Sequence, residues 1–237
     1  PDYFIPKPLD PRLIQWVSPA VAQAAVTSGA ATMPPPETAE YAARLEGMQD
    51  RSMLLLRKVM HQAHSDPRRV VFPEGENRTI LRAVDAIREE GIAEPVLIGR
   101  EEVIRARLAE EEVDGRGVTI IDPAQLADPE AYTAELHDLR GRRGLSWRDA
   151  RRAVRTDPFR LGALMVRRGE AEALVGGVEN HYATLLRPSL EIVPHRRAFG
   201  MHLLFVGERA YLLGDTTVNI DPDSGELARM AVEAAAL

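Results

Sequence analysis

The chain has 237 residues, 45% of them hydrophobic and 28% charged, with a formal net charge of -6. That composition is ordinary for a water-soluble globular protein. No apolar run approaches the roughly 20 residues a membrane helix needs, and the acidic balance argues against broad nucleic-acid binding, which needs a basic footprint. Cysteine is absent, so disulfides and thiolate chemistry are excluded; with no secretory pattern at the start, the cytoplasm is the expected compartment.

The chain begins at Pro1 and reads as a piece of a longer protein. Early prolines make residues 1–33 extended or turn-like at first. Ser18-Pro19 then predicts a helix start, with serine as cap and proline at the first helical position. Val21, Ala24 and Ala25 give that helix a small-residue face ending near Gly29. Pro34-Pro35-Pro36 marks a stiff linker. Residues 34–67 read as a helical linker, with Tyr41, Leu45, Met48, Leu55, Val59 and Met60 at helical spacing.

Residues 68–155 read as a first α/β subdomain. Arg69–Phe72 is a short strand, and Pro73–Asn77, sequence PEGEN, is a turn. Ile80, Leu81, Val84 and Ile87 recur at helical spacing until Gly91, and Val96–Ile98 is apolar throughout, as a strand covered on both faces would be. Such a strand–helix–strand unit implies a parallel pair with a right-handed crossover. Ligands of open α/β sheets sit beyond the carboxyl ends of the strands, where the PEGEN loop lies. A helix at 101–108, a strand at 118–121 and a helix at 129–140 continue the alternation, which predicts a mostly parallel, doubly wound sheet. Residues 140–155 are rich in arginine, and Ser146 is placed to cap a helix carrying Trp147, Ala150 and Val154 on one face. Those arginines form either a solvated face or a docking surface for phosphates, whose geometry guanidinium matches.

Residues 156–237 read as a second subdomain. Leu161–Val166 is helical, and Ala173–Gly177 is a buried strand running into a Gly-Gly turn, where a backbone can approach a ligand. A further helix covers 181–190 with Pro188 inside it. MHLLFV and AYLLGDTTV, around Gly207–Arg209, predict a β-hairpin. Asp221-Pro222 opens a last helix with Leu227, Met230 and Ala231 facing inward.

Several of these segments resemble one family. VVFPEGEN with PVLIG, then LRGRRGLSWRDAR, DPFRLGALMVRRGEAEALVGG, LLRPSLEIV and LLGDTTVNIDPDSGELARMA keep the order and spacing of the phosphate acetyltransferase (phosphotransacetylase) family across residues 68–237. The front end, DYFIPKPLDPRLIQWVSPAVAQAAVTSGAAT, is similar to the last stretch of a bacterial malic enzyme domain. Joined in this order, the two resemble the bifunctional NADP-dependent malic enzymes that carry a phosphotransacetylase-like domain at the C-terminal end.

The resemblance implies a two-subdomain α/β fold, with the second subdomain incomplete here. It also implies a chemistry in which the thiolate of coenzyme A attacks the carbonyl of acetyl phosphate, with arginine and backbone donors holding the phosphate. The family's late catalytic loop belongs after the helix containing Met230, so no catalytic residue is assigned in this fragment. Two further departures stand out: Ala171-Glu172 replaces the family's Ala-Asp, and His181-Tyr182-Ala183 replaces its threonine-rich run.

Carried over as ligand-binding positions for CoA or phosphate are Glu74 and Asn77, Arg142 and Arg143, Gly176 and Gly177, and Arg187 and Asp215. Glu74 as a solvated loop acid and Asp215 as a turn-fixing residue are the plain alternatives. The six histidines are scattered and no fixed-spacing ligand set is visible, so no metal site is expected. No Gly-x-Gly-x-x-Gly dinucleotide fingerprint occurs. The implied ligand is acetyl-CoA or a related acyl-CoA. NADP and a divalent metal are implied only for the parent malic enzyme domain, the expected partner within the same chain, with a homo-oligomer as the expected assembly. The functional expectation is a regulatory and oligomerisation module of a malic enzyme, the alternative an active phosphate acetyltransferase.

Overall fold

The computed structural model describes residues 12–31, 41, 45, 59–194, 198–206 and 209–235. The chain divides into two units, Met60–Ala198 and a second formed by Pro1–Val59 with Phe199–Leu237.

The first unit is an α/β layer structure. Its sheet holds β1 (Arg68–Phe72), β2 (Ala93–Ile98), β3 (Thr119–Ile121) and β4 (Ala173–Leu174). The order is β3-β2-β1-β4 and every neighbouring pair is parallel, with Val71 opposite both Val96 and Leu174. Successive side chains of a strand point to opposite faces, and both faces here are apolar. Val71, Val96 and Ile98 pack under α4 (Pro129–Arg140), α5 (Trp147–Thr156), α6 (Pro158–Arg167) and α7 (Tyr182–Ile192), through Leu136, Val154, Leu161, Leu164 and Ile192. Phe72 and Leu97 point the other way, under α2 (Arg78–Glu90) and α3 (Glu101–Glu110), through Leu81, Val84, Ile104 and Leu108. The parallel, doubly wound sheet expected from the alternating pattern is therefore present.

Local signals place the helices. The Asn77 side chain accepts from the Thr79 and Ile80 amides to cap α2, and Gly91 ends that helix in the left-handed region. Asp128 caps α4 with Pro129 just inside, Ser146 caps α5, and Asp157 caps α6. Each cap satisfies amides that the first helical turn leaves without a partner.

The second unit contains α1 (Arg12–Thr27), the antiparallel pair β5 (Met201–Val206) and β6 (Arg209–Gly214), and α8 (Ser224–Ala235). The hairpin is as expected, and its apolar side chains stand open: Leu203, Leu204, Val206, Tyr211, Leu212 and Leu213 are 42–57% exposed. Among the described residues no helix is long and apolar enough to cross a membrane.

Four expectations need correction or fall outside. The first helix begins at Arg12 rather than at Ser18-Pro19 and carries Pro19 in its interior; a helix tolerates the ring when flanking turns supply enough hydrogen bonds. The buried strand expected over Ala173–Gly177 is two residues long and only half-buried: the Val175 amide makes the last bond to β1, at the Val71 carbonyl, and its side chain is already exposed. The last helix starts at Ser224, not Asp221-Pro222. There Asp223 and Glu226 exchange backbone-to-carboxylate bonds of 2.8 and 3.0 Å, a capping box that turns Glu226 inward with Met230 and leaves Leu227 and Ala231 exposed. Most of the helical linker lies outside the described residues.

Candidate functional site

The strand order fixes where the chain leaves crevices. Moving from β1 to β2 to β3 goes one way across the sheet, and β4 then returns to the other side of β1. The point of reversal, at the carboxyl ends of β1 and β4, is where open α/β sheets bind ligands. Two loops meet there, Pro73–Asn77 after β1 and 175–181 after β4.

Glu74 joins these loops. It is 8% exposed. Its Oε2 accepts from the Gly177 and Val178 amides at 2.6 and 2.9 Å, and its Oε1 from the Glu179 and Asn180 amides at 2.9 and 3.0 Å and from Asn180 Nδ2 at 2.8 Å. Burial pushes the Glu74 carboxyl up, but the Asn180 side chain and the backbone amides of Val178, Glu179 and Gly177 outweigh it and hold the pKa down at about 2. The group is thus a fixed anion wrapped by the chain's own donors. Gly177 sits at φ +106°, which gives the loop the curvature that aims four successive amides at one carboxylate. Gly75 allows the β1 loop to lie on β2: a side chain there would come within 2.7 Å of the Ile98 carbonyl.

Neighbouring side chains brace the same place. Asn77, besides capping α2, donates from Nδ2 to Glu179 at 2.5 Å. Glu76 receives a forked pair from Arg100, Nε at 2.9 Å and Nη2 at 2.7 Å, and the Arg100 amide at 3.0 Å. That side-chain bond holds the Glu76 carboxyl below its ordinary pKa against the opposing effect of burial. A cleft of about 330 Å³ opens here, lined by residues following all four strands, among them Glu76, Gly99, Pro123 and Asn180, and by Arg155.

A second cleft of the same unit, about 360 Å³, lies between the end of α4 and α7. Arg140, Arg143, Ala183, Leu186, Arg187 and Glu191 line it. Glu191 Oε1 meets Arg140 Nη2 at 3.2 Å and Arg187 Nε at 3.1 Å, while its Oε2 meets Arg160 Nη2 at 3.3 Å. Arg143 ends the 3-10 turn Gly141–Arg143 and has no ion-pair partner among the described residues.

The expected site residues therefore fall into three places. Glu74, Asn77, Gly176 and Gly177 come together at the strand ends. Arg143 and Arg187 line the arginine cleft, and Arg142 stands exposed on the turn beside it, lining neither cleft. Asp215 belongs to the other unit. Its Oδ1 accepts from the amides of Gly200, Thr217 and Val218, and its Oδ2 from the amide and side chain of Asn219. Burial raises the Asp215 pKa, and the amides of Thr217, Val218, Gly200 and Asn219 more than reverse this, leaving it below the ordinary carboxylate range. Arg140, Asn180 and Glu191 were not singled out in the sequence. The only hint was their position beside the arginine-rich and Gly-Gly segments. Glu172, the departure from the family's Ala-Asp, accepts from the Arg69 amide at 2.8 Å, at the amino end of β1 and away from the strand-end loops.

Known proteins place this architecture. The chain is 36% identical to an NADP-dependent malic enzyme of Salmonella typhimurium over 242 residues, covering 99% of the chain and 32% of that enzyme. It is 32% identical to a phosphate acetyltransferase of Thermoanaerobacterium thermosaccharolyticum over 193 residues, 77% of the chain and 58% of that protein. The chain thus spans about a third of the malic enzymes it matches. The crystal structure of a phosphotransacetylase from Streptococcus pyogenes superposes with a TM-score of 0.70 at 28% identity, over 78% of this chain and 57% of that one. A family profile described as phosphate acetyl/butaryl transferase matches residues 54–237. By that match, which its parallel sheet accompanies, the chain belongs to the phosphate acetyl/butaryl transferase family.

Proposed function

We propose that this chain is an acetyl-CoA-binding regulatory and oligomerisation module of a malic enzyme, whose parent oxidatively decarboxylates malate to pyruvate with NADP. The observation that carries this reading is the reach of the likeness. In the Salmonella malic enzyme it extends over 99% of the chain, including residues before 54 that the family profile leaves unmatched, whereas the Thermoanaerobacterium phosphate acetyltransferase matches 77%.

The arginine cleft supports a ligand bearing phosphate groups. Guanidinium groups bind phosphate oxygens through paired donors, and Arg140, Arg143 and Arg187 all line this cleft. Acetyl-CoA binding there would be passed to the malic enzyme domain of the same protein, where NADP and a divalent metal act. Among the described residues no group of three or more His, Asp or Glu side chains is placed to hold a metal ion. The exposed apolar hairpin supports the oligomerisation part, because a two-stranded ribbon is marginal in water without a covered face.

The test uses the full-length parent. Malate-dependent reduction of NADP is followed with and without acetyl-CoA, and transfer of acetyl from acetyl phosphate to coenzyme A is assayed beside it. A changed malate turnover with background-level transfer is the expected result. Transfer well above background would overturn the purely regulatory reading in favour of an active phosphate acetyltransferase.

A further inference from the structure

Glu191 is an acid where a phosphate-binding wall would be expected to hold only donors. Its side chain is 14% exposed and reaches three arginines at once, Arg140, Arg160 and Arg187. All three contacts measure 3.1–3.3 Å, longer than the 2.7–2.9 Å of a tight charge-assisted bond. A single carboxylate is being shared by three guanidinium groups, and none is held at short range. Arg160 has a second acid, with Nε 3.1 Å from Asp157 Oδ2. Among the described residues Arg140 and Arg187 have no acid but Glu191 within ion-pair distance, and both line the cleft.

We infer that Glu191 is an internal anion occupying the phosphate-binding arginines, and that a ligand's phosphate group displaces it from Arg140 and Arg187. This deepens the reading of the arginine cleft as a phosphate site and rests on it. Two physical consequences follow. Arg140, Arg143 and Arg187 against Glu191 leave the cleft lining with a net charge of two positives, which suits a phosphate dianion better than a singly charged carboxylate ligand. The resident carboxylate also sets a threshold: an incoming anion must outbid it for donors and tolerate its charge nearby. Glu191 therefore weakens and sharpens binding together, lowering affinity for every anion and lowering it most for weakly charged ones.

Glu191→Gln keeps the shape and removes the charge. The amide oxygen of the variant can still accept from one guanidinium, while Arg160, whose buried Nε makes no hydrogen bond, keeps only its 3.1 Å ion pair with Asp157, and thermal melts read the cost of that loss. Binding of inorganic phosphate, coenzyme A and acetate to the full-length parent is measured by calorimetry, wild type against Glu191→Gln, with thermal melts of both. The variant is expected to bind phosphate and coenzyme A about tenfold more tightly, the effect of deleting one partly screened like charge beside the anion. Acetate should bind the wild type too weakly to detect and become detectable in the variant. Tightening for coenzyme A but not free phosphate would assign the gain to the larger ligand's phosphates, and tightening for both to the phosphate group alone; either supports the displaced anion. Equal or weaker binding in the variant would overturn it, since a carboxylate that merely positions the arginines helps binding. Glu191→Ala should move affinity in the same direction as Glu191→Gln, and the opposite direction would also overturn the inference. If neither protein binds coenzyme A or phosphate, both the inference and the phosphate reading of the cleft fail. If the wild type binds and the variant is no tighter, only the inference fails.

Discussion

Replacing Glu74 by Gln is the sharpest perturbation of the strand-end loops. The wild-type carboxylate takes five donors from Gly177–Asn180 on two oxygens. An amide keeps one oxygen and turns a donor toward the amides the other oxygen served. Those amides lose their partner in a site where Glu74 is 8% exposed. The size follows from proton affinity. Folding lowers the carboxyl pKa from 4.5 to about 2, and at about 1.4 kcal/mol for each tenfold change this is roughly 3 kcal/mol of stability. Because the folded pKa is depressed, that contribution is complete above about 4.5 and drains away as pH falls toward 2. Urea unfolding at pH 7 should therefore show Glu74→Gln less stable by about 3 kcal/mol, and the gap to wild type should shrink as the pH is lowered through that window. Backbone amide exchange at residues 177–180 should accelerate in the variant at pH 7, with the amides of β2 unaffected. A gap under about 0.5 kcal/mol at pH 7, the ordinary scatter of surface substitutions, or a gap that does not change between pH 5 and pH 3, would refute the assignment of Glu74 as the anion that shapes this loop.

Other outcomes are as open to measurement. Gly177→Ala meets no atom within 4 Å but forces a side chain onto φ +106°, so it should cost about 1–3 kcal/mol from backbone strain alone, read by the same urea titration. Replacing Arg142 and Arg143 together by Ala should weaken coenzyme A binding and leave the melting temperature nearly unchanged, because neither has an ion-pair partner among the described residues; unchanged affinity by calorimetry would move the phosphate contacts elsewhere. Wild-type coenzyme A binding should fall as salt rises from about 0.05 to 0.5 M, since Arg187 is 77% exposed and open to screening. Lysine at both Leu203 and Leu212, which face each other across the hairpin, should lower the mass seen by light scattering; an unchanged mass would show that the hairpin is not an assembly surface.

The α/β architecture was legible because its signals are local. The apolar run Val96–Ile98, the helical spacing of Ile80 to Ile87, the cap at Ser146 and the stop at Gly91 each act within a few residues, and all appear in the structure. The hairpin was legible for the same reason. Pro19 misled, since proline favours a helix start but a long enough apolar helix carries it inside. The sites were legible only as segments. PEGEN and Gly-Gly were both picked out, yet nothing in either says that Glu74 spends its oxygens on amides 103 to 106 residues away. Glu191 was invisible for a related reason: it reads as one polar position on a helix until folding brings Arg140 beside it.

The strand order also sets a timetable. β1 pairs with β2 about 25 residues later, but its other edge waits for β4, and the Glu74 anion waits for residues 177–180. During synthesis at about 5–20 residues per second, that edge stays bare for roughly 5–20 seconds after β1 has left the ribosome. An unpaired strand edge invites pairing with the wrong chain. Nascent chains paused between β3 and β4 should thus be the stage at which this protein is most dependent on chaperones. Codon changes that slow translation across residues 122–172 should lower soluble yield more than the same changes placed after residue 181.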